Sequence, residues 1–117
     1  MVKDIQELKP ETQKILAEIK RVPYGQVSSY RDIALRAGLI NGARQVARVL
    51  HGLSESHQLP WWRIIRADGN IGMHGEGRVE QIRLLRLEGL EVTETGKVKV
   101  KNKEAVPSLD LVNDVDK

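Results

Sequence analysis

The residues best equipped for chemistry in this chain are arginines and aromatics, and they point to binding rather than bond-making. Between Tyr24 and Leu90 every cation is Arg and none is Lys, although Lys dominates both flanks. A guanidinium presents a planar fork of donors that matches phosphates and base edges. The same distribution also arises from ordinary surface salt bridges, so the motifs around each Arg must decide. Trp61, Trp62 and Tyr30 interleave with these cations. An indole N–H only donates, and the ring is no nucleophile of the thiol kind. Cysteine is absent from the sequence, which excludes disulfides, thiolate metal sites and a thiol nucleophile. His51 and His57 have no second ligand partner nearby, so neither a zinc site nor any other cofactor is expected.

Composition sets the frame for these residues. The chain has 117 residues, of which 40% are hydrophobic, as expected of one small globular domain. With 19 Lys and Arg against 16 Asp and Glu, the net charge of +3 is too small by itself to establish a nucleic-acid partner. The apolar stretches are short and broken by charges, so no membrane span is expected. The opening residues Met1-Val2-Lys3-Asp4-Ile5 lack the apolar core of a signal peptide. A monomer is expected, cytoplasmic and nucleoid-associated in a prokaryote or nuclear in a eukaryote. Residues 1–100 read as the domain. Residues 101–117 read as a polar, weakly patterned tail, partly disordered.

The elements that must position the arginines and aromatics follow from periodicity. Ile5, Leu8, Thr12, Ile15, Leu16 and Ile19 recur at helical spacing and predict an amphipathic helix from about Asp4 to Arg21. Pro10 either interrupts that run or starts its main part. Val22-Pro23-Tyr24-Gly25 forms a turn. Ser29 can cap a helix from Tyr30 to about Ala37, closed by Gly38. Asn41-Gly42 opens a second short helix, roughly Ala43 to Gly52, with Val46, Val49 and Leu50 inward. Together they make a helix-turn-helix pattern, which is also common in small helical domains that bind no DNA. Leu59 to Ile65 is apolar and leads into a turn-rich hairpin, Ala67 to Gly72. Met73 to Gly77 reads as an exposed loop and Val79 to Leu87 as a helix burying Ile82, Leu85 and Leu84. A small hairpin around Gly96 spans Thr93 to Val100. The fold class is mainly α, a winged helix-turn-helix domain with a small hairpin wing.

More specific motifs run through this frame in order. They are Val22-Pro23-Tyr24-Gly25-Gln26-Val27-Ser28-Ser29-Tyr30, Ala43-Arg44-Gln45-Val46, Pro60-Trp61-Trp62-Arg63-Ile64-Ile65, Gly69-Asn70-Ile71-Gly72 and Leu87-Glu88-Gly89. From about residue 5 to residue 92 the chain resembles the DNA-binding domain of the O6-alkylguanine-DNA alkyltransferases. Where the active enzymes have Pro-Cys-His-Arg, this chain has Pro60-Trp61-Trp62-Arg63. The acceptor cysteine corresponds to Trp61, its histidine neighbour to Trp62, and a supporting asparagine, by ungapped counting, to Leu53. Glu88 matches the family's relay glutamate, with nothing left to polarise, and so is expected to be structural. Pro60 and Arg63 are expected to shape the former active-site turn. The chain is similar to the alkyltransferase-like branch, which carries Trp at the cysteine position, although many of its members keep His where this chain has Trp62. The resemblance implies tight, non-catalytic binding of O6-alkylguanine in double-stranded DNA, with nucleotide excision repair proteins as partners.

The resemblance also implies roles residue by residue. A base inside a duplex must rotate out to be read, at a cost of a few kcal/mol. Arg44 matches the arginine finger that fills the hole, and Tyr30 the tyrosine that crowds the target phosphate. Trp61, Trp62, His74 and Tyr30 would form the lesion pocket, with Met73 to Gly77 as the segment closing over the flipped base. Arg48, Arg66 and Arg78 are candidate phosphate contacts beside Tyr30. Small residues such as Gly42 and Ala47 would let the second helix sit close in the minor groove, whose degenerate code suits a protein that ignores sequence. The alternative reading of the same helices is a sequence-specific winged helix-turn-helix transcription regulator.

Overall fold

The computed structural model of the chain describes residues 5–99. The tail 101–117, the helix start at Asp4 and the hairpin end at Val100 lie outside the described residues. Helix α1 spans Pro10–Lys20, with Pro10 in its first turn. The expected single helix from Asp4 is instead a turn of 3-10 helix, Ile5–Glu7, followed by a break before Pro10. The physical reason is that Pro has no N–H to give to the preceding turn, yet its fixed φ suits a helix start. The Gln13 side-chain amide donates to Leu8 O at 2.8 Å across that break. Ile15, Leu16 and Ile19 are fully buried on one face of α1, each worth about 1.5–3 kcal/mol of apolar burial.

The helix-turn-helix unit is α2, Tyr30–Arg36, and α3, Ala43–Leu53. Ser29 caps α2 as its composition predicts: its hydroxyl accepts the Asp32 N–H at 2.9 Å. The helix ends in a Schellman turn, Gly38 N–H to Leu35 O and Leu39 N–H to Ala34 O, which needs the positive φ of 84° at Gly38. Gly42 then makes the close approach between the helices. A Cβ there would lie 2.7 Å from Leu39 Cβ and 3.1 Å from Ala34 Cβ. Its smallness therefore serves the interhelical turn. Ala47, by contrast, is exposed on α3.

Strand β1, Ser28–Ser29, pairs in parallel with β2, Ile64–Ile65. Successive strand side chains point to opposite faces. Ile64 accordingly enters one apolar cluster, built on α1, α2 and α3, while Ile65 enters a second, built on Val27, Ile71, Leu85, Leu90, Val92 and Val98. The turn after β2 closes through Arg66 N–H to Asn70 O and Gly69 N–H to Arg66 O. Its far side joins the wing, Asn70 bridging to Lys97. The wing is the antiparallel hairpin of β3, Glu91–Val92, and β4, Val98–Lys99.

Helix α4 spans Gly75–Leu87. The expected loop Met73 to Gly77 is thus corrected: only Met73 and His74 precede the helix, and Gly75 to Gly77 are its first turn. Glycine's low helix propensity argues against a helix here, but Met73 folds across the turn and would sit 2.5 Å from a Cβ at Gly77. Leu85 and Gln81 are the buried side chains of α4, whereas Ile82 and Leu84 are half-buried.

Candidate nucleic-acid interface

Pro60 sets the presentation of the two tryptophans. Its φ of −78° and ψ of 65° are those of an inverse γ-turn, closed by Trp61 N–H to Leu59 O at 2.8 Å. A single turn of 3-10 helix, Trp61–Arg63, follows and runs directly into β2. Trp61 packs against the helical cluster and Trp62 against the second cluster. The two rings stand edge to face at 90°, centroids 5.9 Å apart, a favourable arrangement for aromatic quadrupoles.

Behind them lies a network centred on Glu88. Its Oε2 accepts the Trp62 indole N–H at 2.7 Å and Arg63 Nη2 at 2.8 Å. Its Oε1 accepts the Gly25 N–H at 2.8 Å and Arg63 Nε at 3.0 Å. Arg63 Nη1 donates onward to Val22 O at 3.0 Å, tying the 60–63 turn to the segment after α1. The guanidinium lies 5.3 Å from the Trp62 ring centroid and 5.7 Å from that of Tyr24, within cation–π range. Burial pushes the Glu88 carboxyl up, but the Arg63, Gly25 and Trp62 donors outweigh it and leave the group below the usual carboxylate range. Glu88 is the C-terminal cap of α4, the wrong end of a helix dipole for an anion. A carboxylate kept there is held by specific donors, and here they are all visible.

The remaining predicted residues are spread over α2, α3, the turn after β2 and the start of α4. Tyr30 opens α2, half-buried at the edge of the helical cluster where Trp61 also packs. Burial raises its hydroxyl pKa, so it stays a neutral donor and acceptor. Arg44 and Arg48 are exposed one turn apart on α3, with Ala47 and His51 on the same face. Arg66 is exposed and pairs with Asp68 at 3.5 Å. Arg78 is half-buried with its guanidinium against the wing turn, so that a Cβ on Gly96 would meet Nη2 at 2.6 Å. His74 is exposed at the N-cap of α4 and makes no capping bond with its side chain. An open groove of about 360 Å³ between the end of α4 and the wing is lined by Arg86, Leu90, Val92 and Lys99 among others, and contains none of the predicted residues. Among the described residues no cluster of His, Asp or Glu could hold a metal ion.

Sequence reasoning missed Gln81. It is 1% exposed, and its amide donates to Trp62 O and Ile64 O, both at 3.0 Å. It thereby fastens α4 to the backbone of the tryptophan turn. The available signal was its place four residues before Leu85, inside the apolar stripe, where a polar side chain needs a partner. Tyr24 was also missed as a site residue: it is 67% exposed, and its hydroxyl donates to Leu87 O at 3.2 Å.

Comparison with known proteins gives this arrangement a lineage. Residues 10–90 match the 6-O-methylguanine DNA methyltransferase, DNA binding domain. A DNA base-flipping protein of Vibrio parahaemolyticus is 41% identical over 85 residues, covering 73% of this chain and 85% of that protein. Alkyltransferase-like protein 1 of Schizosaccharomyces pombe is 34% identical over 84 residues, covering 70% of this chain and 78% of that protein. The crystal structure of S. pombe Atl1 in complex with damaged DNA containing O6-carboxymethylguanine superposes with a TM-score of 0.69 at 28% identity, over 87% of this chain and 98% of that one. The chain belongs to the 6-O-methylguanine DNA methyltransferase family through its DNA-binding domain, among the alkyltransferase-like proteins.

Proposed function

We propose that the chain is a non-catalytic reader of DNA damage. It binds O6-alkylguanine in duplex DNA by minor-groove docking and nucleotide flipping, and marks the lesion for nucleotide excision repair. The observation that carries the reading is the likeness, over 87% of the chain, to a relative bound to damaged DNA. Arg44, on the exposed first turn of α3, is the finger that replaces the flipped base. Tyr30 crowds the target phosphate with a neutral hydroxyl. Arg48, Arg66 and Arg78 reach flanking phosphates, Arg78 from its place against the wing turn at Gly96. Trp61 offers an apolar wall to the alkyl group, and His74, exposed at the N-cap of α4, closes over the flipped base. No acceptor thiol exists in the sequence, and the Glu88 carboxylate is already saturated by fixed donors.

The test is binding to matched duplexes with and without O6-methylguanine at one salt concentration. A clear lesion preference is expected, reduced far more by Arg44→Ala than by Arg48→Ala, while Arg48→Ala weakens both duplexes alike and lowers the salt slope by about one. Equal affinity for both duplexes, or tighter binding to a selected undamaged sequence, would refute the reading. For the repair link, deleting the gene in cells already lacking excision repair should add no sensitivity to alkylation.

A further inference from the structure

We propose that Trp62 is a positioning residue for the lesion pocket, holding the Trp61 ring in one orientation. The inference rests on the reading of Trp61 as a pocket wall. Trp61 is half-buried, and its own indole N–H makes no hydrogen bond among the described residues. Its ring therefore owes its orientation to packing. One neighbour is Trp62, edge to face at 90°. That neighbour is itself immobilised from three sides. Its indole N–H is 2.7 Å from Glu88 Oε2, the Arg63 guanidinium lies over its ring, and Gln81 holds its backbone carbonyl. Arg63 and Glu88 are 14% and 6% exposed, so this clamp is shielded from solvent.

A bare pocket wall could be any apolar side chain. The donor geometry selects more narrowly: residue 62 must present a flat ring at right angles to Trp61 and a ring N–H to Glu88. Trp and His satisfy both conditions, Phe only the first. The anchor matters for function because a flipped base meets a wall already in place, and no side-chain ordering is left for the binding step.

The experiment compares Trp62→Phe with Trp62→His, each of which leaves Trp61 as the sole tryptophan reporter. Two readouts are taken on the full chain: acrylamide quenching of Trp61 emission without DNA, and the ratio of affinities for O6-methylguanine and plain duplexes. Trp62→Phe is expected to raise quenching and to lower the affinity ratio by about two- to tenfold, the range of one lost hydrogen bond. Trp62→His is expected to keep quenching low and the ratio near that of the native chain. If Trp62→Phe does not fold, Glu88→Gln placed on Trp62→His weakens the same anchor and should raise quenching likewise. Equal quenching in the Phe and His variants would overturn the positioning role. A native chain with no lesion preference would instead refute the pocket reading, while the quenching contrast still decides the role of Trp62.

Discussion

Replacing Arg63 by Met is the sharpest test of the Glu88 network. The guanidinium gives Glu88 its contacts at 2.8, 3.0 and 3.1 Å and gives Val22 O another at 3.0 Å. Met keeps most of the stem and removes all of these. Losing one partner of a buried ion pair costs about 3–5 kcal/mol because the other charge is stranded. Glu88 would keep the Gly25 and Trp62 N–H donors, which places the expected loss near the lower end, about 3 kcal/mol. That is a large share of the roughly 5–15 kcal/mol that holds a domain together. Urea unfolding followed by tryptophan emission measures it at constant m-value. The pH dependence supplies a second check. The folded pKa of Glu88 is depressed in the native chain, so its stabilisation is fully present above the unfolded value, about 4.3. It is lost as pH falls through the lower folded value. Without Arg63, burial dominates and the folded pKa rises, so protonation relieves the variant. The gap between native and variant should therefore narrow from pH 7 towards pH 4. A loss below about 1 kcal/mol, typical of an exposed pair, or a gap that does not change with pH, would refute the network's structural weight.

Other consequences are as direct. Gln81→Leu strands the Ile64 carbonyl but also removes a buried Gln81 Oε1 that has no partner among the described residues, so a net cost of about 1–3 kcal/mol is expected, read from the urea midpoint, and it should loosen Trp62 before α4 itself. Gly42→Ala replaces a favoured N-cap residue of α3 with a poor one and drives a methyl to 2.7 Å from Leu39 Cβ. A net destabilisation of about 1–3 kcal/mol by thermal unfolding is expected, and a stabilised variant would show that the turn can relax. Trp61→Cys should gain no mass on incubation with O6-methylguanine DNA, because Glu88 is occupied by Trp62 and Arg63. A stable alkyl adduct would show that the thiol alone suffices.

The sequence made some of this architecture legible and concealed the rest for identifiable reasons. Ser29 and Gly38 announced α2 because capping chemistry is local: a hydroxyl three residues before its N–H partner and a glycine at a positive φ. Arg63 and Glu88 could be singled out through family motifs, but not their mutual geometry, which joins residues 25 positions apart. The parallel pairing of Ser28–Ser29 with Ile64–Ile65 had no local signature, since two-residue strands show no alternation. The start of α4 was hidden because Gly75 and Gly77 argue against a helix, and the compensating Met73 contact exists only in three dimensions. Gln81 was masked for the opposite reason: its neighbours made the stripe look complete without it.

The short ladder between β1 and β2 has a further consequence. Ile64 and Ile65, adjacent in sequence, are rooted in different apolar clusters, and so are the tryptophans just before them. Proteins open in cooperative units that follow such contiguous packing. The helix-turn-helix side and the α4–wing side are thus candidates for separate foldons, coupled through a few residues of the segment 61–65. The segment 61–65 joins the two units because its residues pack into both clusters. Stiffening or softening that segment would change how strongly the opening of one unit is coupled to that of the other.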